Sequence, residues 1–111
     1  MQVFDHPHDP SEVFPYSVTF ADLALAAVTS VTATVVVDSM LPAESPNTLI
    51  INNITVLASD STNPTIIDTV KFWVSGGTDG TTYVILITPN APNSPLNFVT
   101  PARVALVVAK Q

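Results

Sequence analysis

Short segments of alternating, β-branched or aromatic residues recur along this chain, with turn residues between them. The alternation has the period of a strand, in which successive side chains point to opposite faces. Residues 21–28 alone have a helical look, and they are too few for more than about two turns. The Asn52-Asn53 pair indicates either a bulge or a tight turn between two strands. The predicted strand regions are 13–20, 29–37, 48–59, 66–75, 81–88 and 98–109.

About seven short strands separated by turns are typical of a β-sandwich or a small barrel. We predict one all-β domain over residues 13–111, a sandwich of antiparallel strands. Pro15 should make the first of these an edge strand. Residues 1–12 are predicted to form an extended arm outside the core, because Pro7 and Pro10 lack a backbone donor and disfavour helix before them. Phe4 is the candidate docking anchor of this arm.

Charge is scarce in this chain. Three basic residues, Lys71, Arg103 and Lys110, stand against nine acidic ones, for a net charge of −6. Binding to nucleic acid or to an anionic membrane surface needs clustered basic residues, so neither is expected. Charged residues make up 11% of the chain, below the usual quarter or so. This predicts a surface covered by neighbouring proteins; a polar, uncharged surface is the alternative.

Export and membrane insertion leave no signal in the sequence. There is no cysteine, so disulfides are excluded. No apolar run is long enough to cross a bilayer. The N-terminal stretch MQVFDHPHDP lacks the basic flank and apolar run of a signal peptide. These features are compatible with folding in a reducing cytoplasm.

The predicted arm contains the one group of side chains suited to a metal, which is Asp5, His6, His8 and Asp9. Imidazole and carboxylate are proper ligand types. However, the prolines extend the arm and nothing in the sequence supports the side chains from behind. We therefore expect a polar docking arm and no metal or other cofactor.

No arrangement of residues predicts catalysis. A Ser/His/Asp site needs a histidine held rigidly by its surroundings, and both histidines lie in the arm. The remaining aspartates show no pairing at helical or strand spacing. Calcium binding by three of them, Asp60, Asp68 and Asp79, is an alternative, although isolated turn aspartates more often bond to backbone. The carboxylates scattered in this way are Asp22, Asp38, Asp60, Asp68 and Asp79.

Two neighbouring aromatic residues, Phe72 and Trp73, must point to opposite faces of their strand. Two positions for Trp73 stay open. One is the core, as in many β-sandwiches, which the fold class favours. The other is the outer face, where Trp73 would anchor a partner protein.

A glycine-rich turn is the strongest turn signal in the chain. Gly76, Gly77 and Gly80 should include at least one residue with positive φ. Tyr83 follows this turn at the start of a strand. It could form a tyrosine corner, in which the hydroxyl bonds to backbone upstream.

The turn region also carries a resemblance to a known family. Residues 70–85, VKFWVSGGTDGTTYVI, are similar to a pattern in small phage virion proteins, the fibre-tail adaptor proteins. The N-terminal residues Phe4-Asp5, Asp9-Pro10-Ser11-Glu12, Tyr16 and 20–23 resemble that family's acidic arm and the aromatic segment after it. The order of the two blocks matches as well. The proline-rich stretch 88–101 departs from the pattern and leaves the attachment partner open.

The resemblance implies an Ig-like β-sandwich that joins parts of a virion and is assembled in the host cytoplasm. We therefore predict a non-enzymatic adaptor, neck or tail accessory subunit that is present in several symmetric copies and contacts other virion proteins. Two alternatives stay open. One is a capsid decoration or head-associated protein. The other is a free Ig-like binding or adhesion module, which would remain a soluble monomer at high concentration.

Overall fold

The computed structural model describes residues 2–20, 32–43, 48–58, 62, 68–90 and 101–111. These residues form an all-β structure with seven strands and no helix. The predicted helical turn at 21–28 lies outside the described residues. The strands are β1 Gln2–Val3, β2 Val13–Thr19, β3 Thr32–Leu41, β4 Leu49–Leu57, β5 Thr69–Gly76, β6 Thr82–Asn90 and β7 Ala102–Val107.

The strands form two sheets around one hydrophobic core. One sheet has four strands in the order β1-β7-β6-β3, and the other has three in the order β2-β5-β4. The core comes from alternate positions of both sheets, as the period-two pattern predicts. β2 is an edge strand, in agreement with the prediction from Pro15. The fully buried apolar side chains are Val70, Phe72, Val74, Tyr83, Ile85, Ile87, Leu106 and Val108.

Two strand regions differ in detail from the prediction. β3 continues to Leu41 through the start of a predicted loop, and its register with β6 shifts between Val37 and Ser39. A bulge therefore accommodates Asp38 without ending the strand. β4 is a single strand with a shift between Asn52 and Thr55, and Asn53 has φ of 53°. This confirms the bulge interpretation of the Asn-Asn pair over two strands.

Residues 2–12, called the N-terminal segment below, are part of the folded domain. β1 pairs with β7 in parallel, with Gln2 opposite Val104. The backbone of His8 accepts from Ala109 N–H at 2.9 Å and donates to the Val107 carbonyl at 2.9 Å. The prediction of an arm outside the core is therefore corrected, whereas the pairs among β2–β7 are all antiparallel, as predicted for residues 13–111. Pro7 and Pro10 do not prevent this attachment, because the backbone hydrogen bonds are made by Phe4, which precedes both prolines, and by His8, which lies between them.

Candidate functional site

The outer face of the three-stranded sheet has Trp73 at its centre. Strand β5 turns Val70, Phe72 and Val74 into the core, so Lys71 and Trp73 point outward. Trp73 is half-buried there. Of the two positions left open by the sequence, the structure thus selects the outer face.

Register places apolar neighbours around the indole. Trp73 lies opposite Pro15 on β2 and Asn52 on β4. In the next row, Ser75 lies between Val13 and Ile50, which are 65% and 55% exposed. Directly opposed residues share a face. The Trp73 face is defined here as Val13, Pro15, Ile50, Asn52, Lys71 and Trp73.

The Trp73 face has a single charge among these six residues. The Lys71 ammonium lies 5.4 Å from the centre of the Trp73 ring, a distance at which a cation is attracted to the ring face. The stem of Lys71 therefore runs along the sheet. Beyond it, Ser17 and Thr55 flank Lys71 and give the face a polar margin. An aromatic centre with an uncharged polar margin is typical of a protein-docking surface.

The outer face of the four-stranded sheet is also apolar. Val36 is 50% exposed and Leu41 is 77% exposed. One ion pair lies on this side, between Arg103 Nε and an Asp38 carboxylate oxygen at 3.1 Å. Opposite faces of the domain thus both expose apolar side chains with little charge around them.

Phe4 does not extend from the domain. It packs against the core, with its ring centre 4.9 Å from that of Tyr16 and 6.0 Å from that of Phe72. A ring held this way is a structural contact of the N-terminal segment. It is not the exposed anchor that the sequence suggested.

The four candidate metal ligands of the N-terminal segment take different positions. His6 Nε2 lies 3.0 Å from Glu12 Oε1, and its ring stacks on Phe14. Asp9 accepts from the Ser11 backbone, which holds the pKa of the Asp9 carboxyl below its usual range. His8 is fully buried. In the part of the chain that the structure describes, no group of three such side chains is arranged to hold a metal ion.

Three of the five scattered aspartates make internal contacts. Asp38 pairs with Arg103, Asp68 accepts from the Thr69 hydroxyl, and Asp79 accepts from the Lys110 backbone at 2.9 Å. These are structural hydrogen bonds of loop and strand ends. Asp22 and Asp60 lie outside the described residues.

The glycine turn has the backbone that the sequence predicts. Gly76, Gly77 and Gly80 have φ of 71°, 91° and 86°. A Cβ on Gly76 would lie 2.7 Å from the Thr48 carbonyl oxygen, so glycine is required there for space as well as conformation. The buried Tyr83 hydroxyl accepts from the Thr78 N–H at 3.1 Å. This is the upstream backbone bond expected of a tyrosine corner.

A cleft opens between β1 and β2 at one side of the two sheets. Its volume is about 320 Å³, and Phe4, Asp5, Ser17 and Val104 are among its lining residues. Among the described residues that line it, none is a histidine and Asp5 is the one carboxylate.

The burial of His8 was not predicted from the sequence. Its strongest signal was the alternation Phe4, His6, His8, which has the period of a strand. The intervening Pro7 masked that pattern.

Within the described residues no helix is long and apolar enough to cross a membrane. Comparisons of the chain with protein-family models, with curated proteins and with solved structures give no match.

Proposed function

We propose that this protein is a non-enzymatic, Ig-like structural subunit that docks on other proteins through the Trp73 face. The setting we propose is a bacteriophage particle, in which the chain acts as an adaptor, neck or tail accessory subunit. The resemblance of residues 70–85 to the fibre-tail adaptor proteins supports that setting.

The observation that carries the proposal is the position of Trp73. Trp is the side chain most enriched among residues that dominate binding energy at protein interfaces. Here it lies at the centre of a sheet face, beside exposed Val13 and Ile50 and one charge. Burying such a face against a partner removes apolar area from water at little cost in charge desolvation.

The strand order supports the Ig-like part of the proposal. The order β2-β5-β4 corresponds to strands B-E-D of an immunoglobulin domain, and β3-β6-β7 corresponds to C-F-G. β1 lies beside β7, in the sheet opposite to the one it joins in constant-type domains. The Tyr83 hydroxyl bond near the start of the sixth strand is a further common feature.

The second apolar face supports a joining role. A subunit between two neighbours needs two surfaces, and the exposed Val36 and Leu41 lie on the sheet opposite Trp73. Large apolar side chains exposed on one face are ordinary, but apolar patches on opposite faces fit a subunit packed on both sides.

The test compares Trp73→Ser with Leu57→Ser in particles of the phage that encodes the chain. Leu57 is a matched control, because it lies on the same sheet face two register rows away and is 38% exposed. We expect Trp73→Ser to lower incorporation of the chain about tenfold or more, as for a central interface residue. Leu57→Ser should incorporate normally. Mass spectrometry of purified particles measures both.

Two results would overturn the proposal in different ways. Absence of the unmodified chain from purified particles would remove the virion role and favour a free binding module. Normal incorporation of a folded Trp73→Ser protein would remove the Trp73 face as the docking surface. Circular dichroism of each purified variant establishes that it is folded.

A further inference from the structure

His8 occupies an unusual position for a titratable side chain. It pairs with Val108 across the edge of β7 and its side chain is 0% exposed. The Tyr16 ring lies edge-on to it with the centres 6.3 Å apart. His6, two residues earlier, has a side chain that is 39% exposed. The two histidines of the N-terminal segment therefore have opposite environments.

Neither ring nitrogen of His8 has a hydrogen-bond partner among the described residues. A buried polar atom without a partner is rare, because it has lost its bonds to water and gained none in return. A neutral imidazole has only the cost of burying its nitrogens without hydrogen bonds. An imidazolium has the same cost and, in addition, the much larger cost of burying a charge.

The charged groups around His8 oppose this cost only in part. The closest is Glu12, whose Oε1 lies 3.7 Å from His8 Nδ1. The same oxygen already contacts His6 Nε2 and accepts from the Asp9 N–H. Burial is the largest effect and lowers the pKa of His8. Glu12, Asp9 and the nearby Gly76 backbone, whose contact with the ring falls short of hydrogen-bond geometry, raise it less, and His6 lowers it slightly.

The other elements packed near His8 bring no carboxylate to its ring. From β2 the nearest ionisable group is Tyr16, whose pKa is raised by burial and which stays neutral in the acid range. At the C-terminal end, Asp79 binds the Lys110 backbone, and Gln111 N–H binds Asp9. The protonated ring thus has one partly exposed carboxylate, Glu12, within ion-pair distance.

We propose that His8 is a proton-sensitive latch. When it is neutral, the ring is buried and the N-terminal segment stays on β7. When it is protonated, the segment detaches, the ring reaches water, and the edge of β7 and the rings of Tyr16 and Phe72 are uncovered. The hydrogen bonds that break include those that Phe4 N–H donates to Ala105, His8 N–H to Val107, Ala109 N–H to His8, the Tyr16 hydroxyl to the His6 carbonyl and Gln111 N–H to Asp9. This property is independent of the Trp73 face.

The direction of the pH effect follows from linkage. The attached state lowers the pKa of His8 below the ordinary value of 6.5, so the detached state binds more protons between the two pKa values. Attachment is therefore complete above pH 6.5 and weakens as the pH falls from there to the lowered pKa. The pKa values of Asp9 and Glu12 are also lowered, by hydrogen bonds from backbone N–H groups. Their contributions are lost only in the more acidic range below the ordinary carboxyl values.

Amide hydrogen exchange between about pH 7.5 and about pH 5 tests the latch. Protection factors, which correct for the pH dependence of intrinsic exchange, should be followed at Phe4, His8 and Ala109. We expect them to fall by up to about tenfold per pH unit below pH 6.5. Protection factors of β5 and β6 amides should stay unchanged over the same range.

Three variants identify the group responsible. His8→Phe keeps a buried ring without a titrating nitrogen and should abolish the pH dependence. His6→Gln, the matched control on the same segment, should retain it. Glu12→Gln removes the nearest opposing charge and should make the fall in protection larger.

Four results would each overturn the latch proposal. An unchanged pH dependence in His8→Phe, or its loss in His6→Gln, would overturn the proposal. If His8→Phe does not fold, the unmodified protein decides: constant protection at Phe4, His8 and Ala109 down to about pH 5 would overturn it equally. A parallel fall in the β5 and β6 amides would indicate unfolding of the whole domain and would also overturn it.

Discussion

The β5–β6 hairpin and the N-terminal segment both bury one polar ring completely, but only the ring in the hairpin has a hydrogen-bond partner among the described residues. Tyr83 in the hairpin accepts a hydrogen bond from Thr78 N–H. His8 in the N-terminal segment has no such partner among the described residues. Both regions bond to adjacent residues near the C-terminus, since Gly80 donates to the Val108 carbonyl and His8 donates to that of Val107.

The difference teaches where this domain is fixed and where it can change. A buried hydroxyl with a partner adds a net stabilisation that does not depend on pH near neutrality. A buried imidazole without one is stable only while it is neutral. The hairpin is thus a permanent part of the fold, and the attachment of the N-terminal segment depends on conditions.

The largest expected effect comes from deleting residues 1–10. The deletion removes β1, the packing of Phe4 on Tyr16 and Phe72, and the bonds of His8 to β7. We expect the free energy of unfolding to fall by about 3 kcal/mol, by analogy with the loss of a packed aromatic side chain. Urea unfolding at neutral pH measures it.

This deletion also tests the comparison itself. An unchanged urea midpoint would mean that the segment contributes nothing to stability at neutral pH, and the contrast with the hairpin would disappear. A suitable control is Val3→Ser, which changes an exposed side chain of the same segment and should shift stability by no more than about 0.5 kcal/mol.

Within the hairpin, Gly76→Ala should have the next largest effect. The added Cβ would lie 2.7 Å from a backbone oxygen of Thr48, at φ of 71°. We expect a loss of about 1–3 kcal/mol. Gly80→Ala is the matched control, because its φ of 86° is similar but nothing lies within 4 Å of its Cβ. Equal losses in the two variants would show that backbone conformation alone, without crowding, sets the cost.

The smallest expected effect belongs to Tyr83→Phe. It removes the hydroxyl and leaves the Thr78 N–H without that bond, for an expected loss of about 1 kcal/mol. The loss should be the same at about pH 7 and about pH 5.5, because no group that titrates between them is changed. If the loss of stability in Tyr83→Phe differed between these two pH values, the hairpin would depend on pH as the attachment of the N-terminal segment does. The contrast between Tyr83 and His8 would then be wrong. Thermal unfolding at both pH values provides the measurement.

Local pattern was enough to predict which strand positions share a face. Val70, Phe72 and Val74, and likewise Tyr83, Ile85 and Ile87, follow the period of two and are buried. The positive φ of the turn glycines was predictable for the same reason, since it depends on a few neighbouring residues. The candidate site was predictable only in part: Trp73 had to oppose Phe72, but the sequence favoured the core for it.

Tertiary structure alone decided the positions of His8 and of Trp73. The pairing of Gln2 with Val104 joins opposite ends of the chain, and no periodicity within the first dozen residues contains that information. His8 is buried because β7 and Tyr16 meet around it. Trp73 is on the outer face because Phe72, its neighbour, fills the space between the two sheets. The sequence determined the alternation of side chains by local geometry, and long-range packing determined which face and which segment became part of the core.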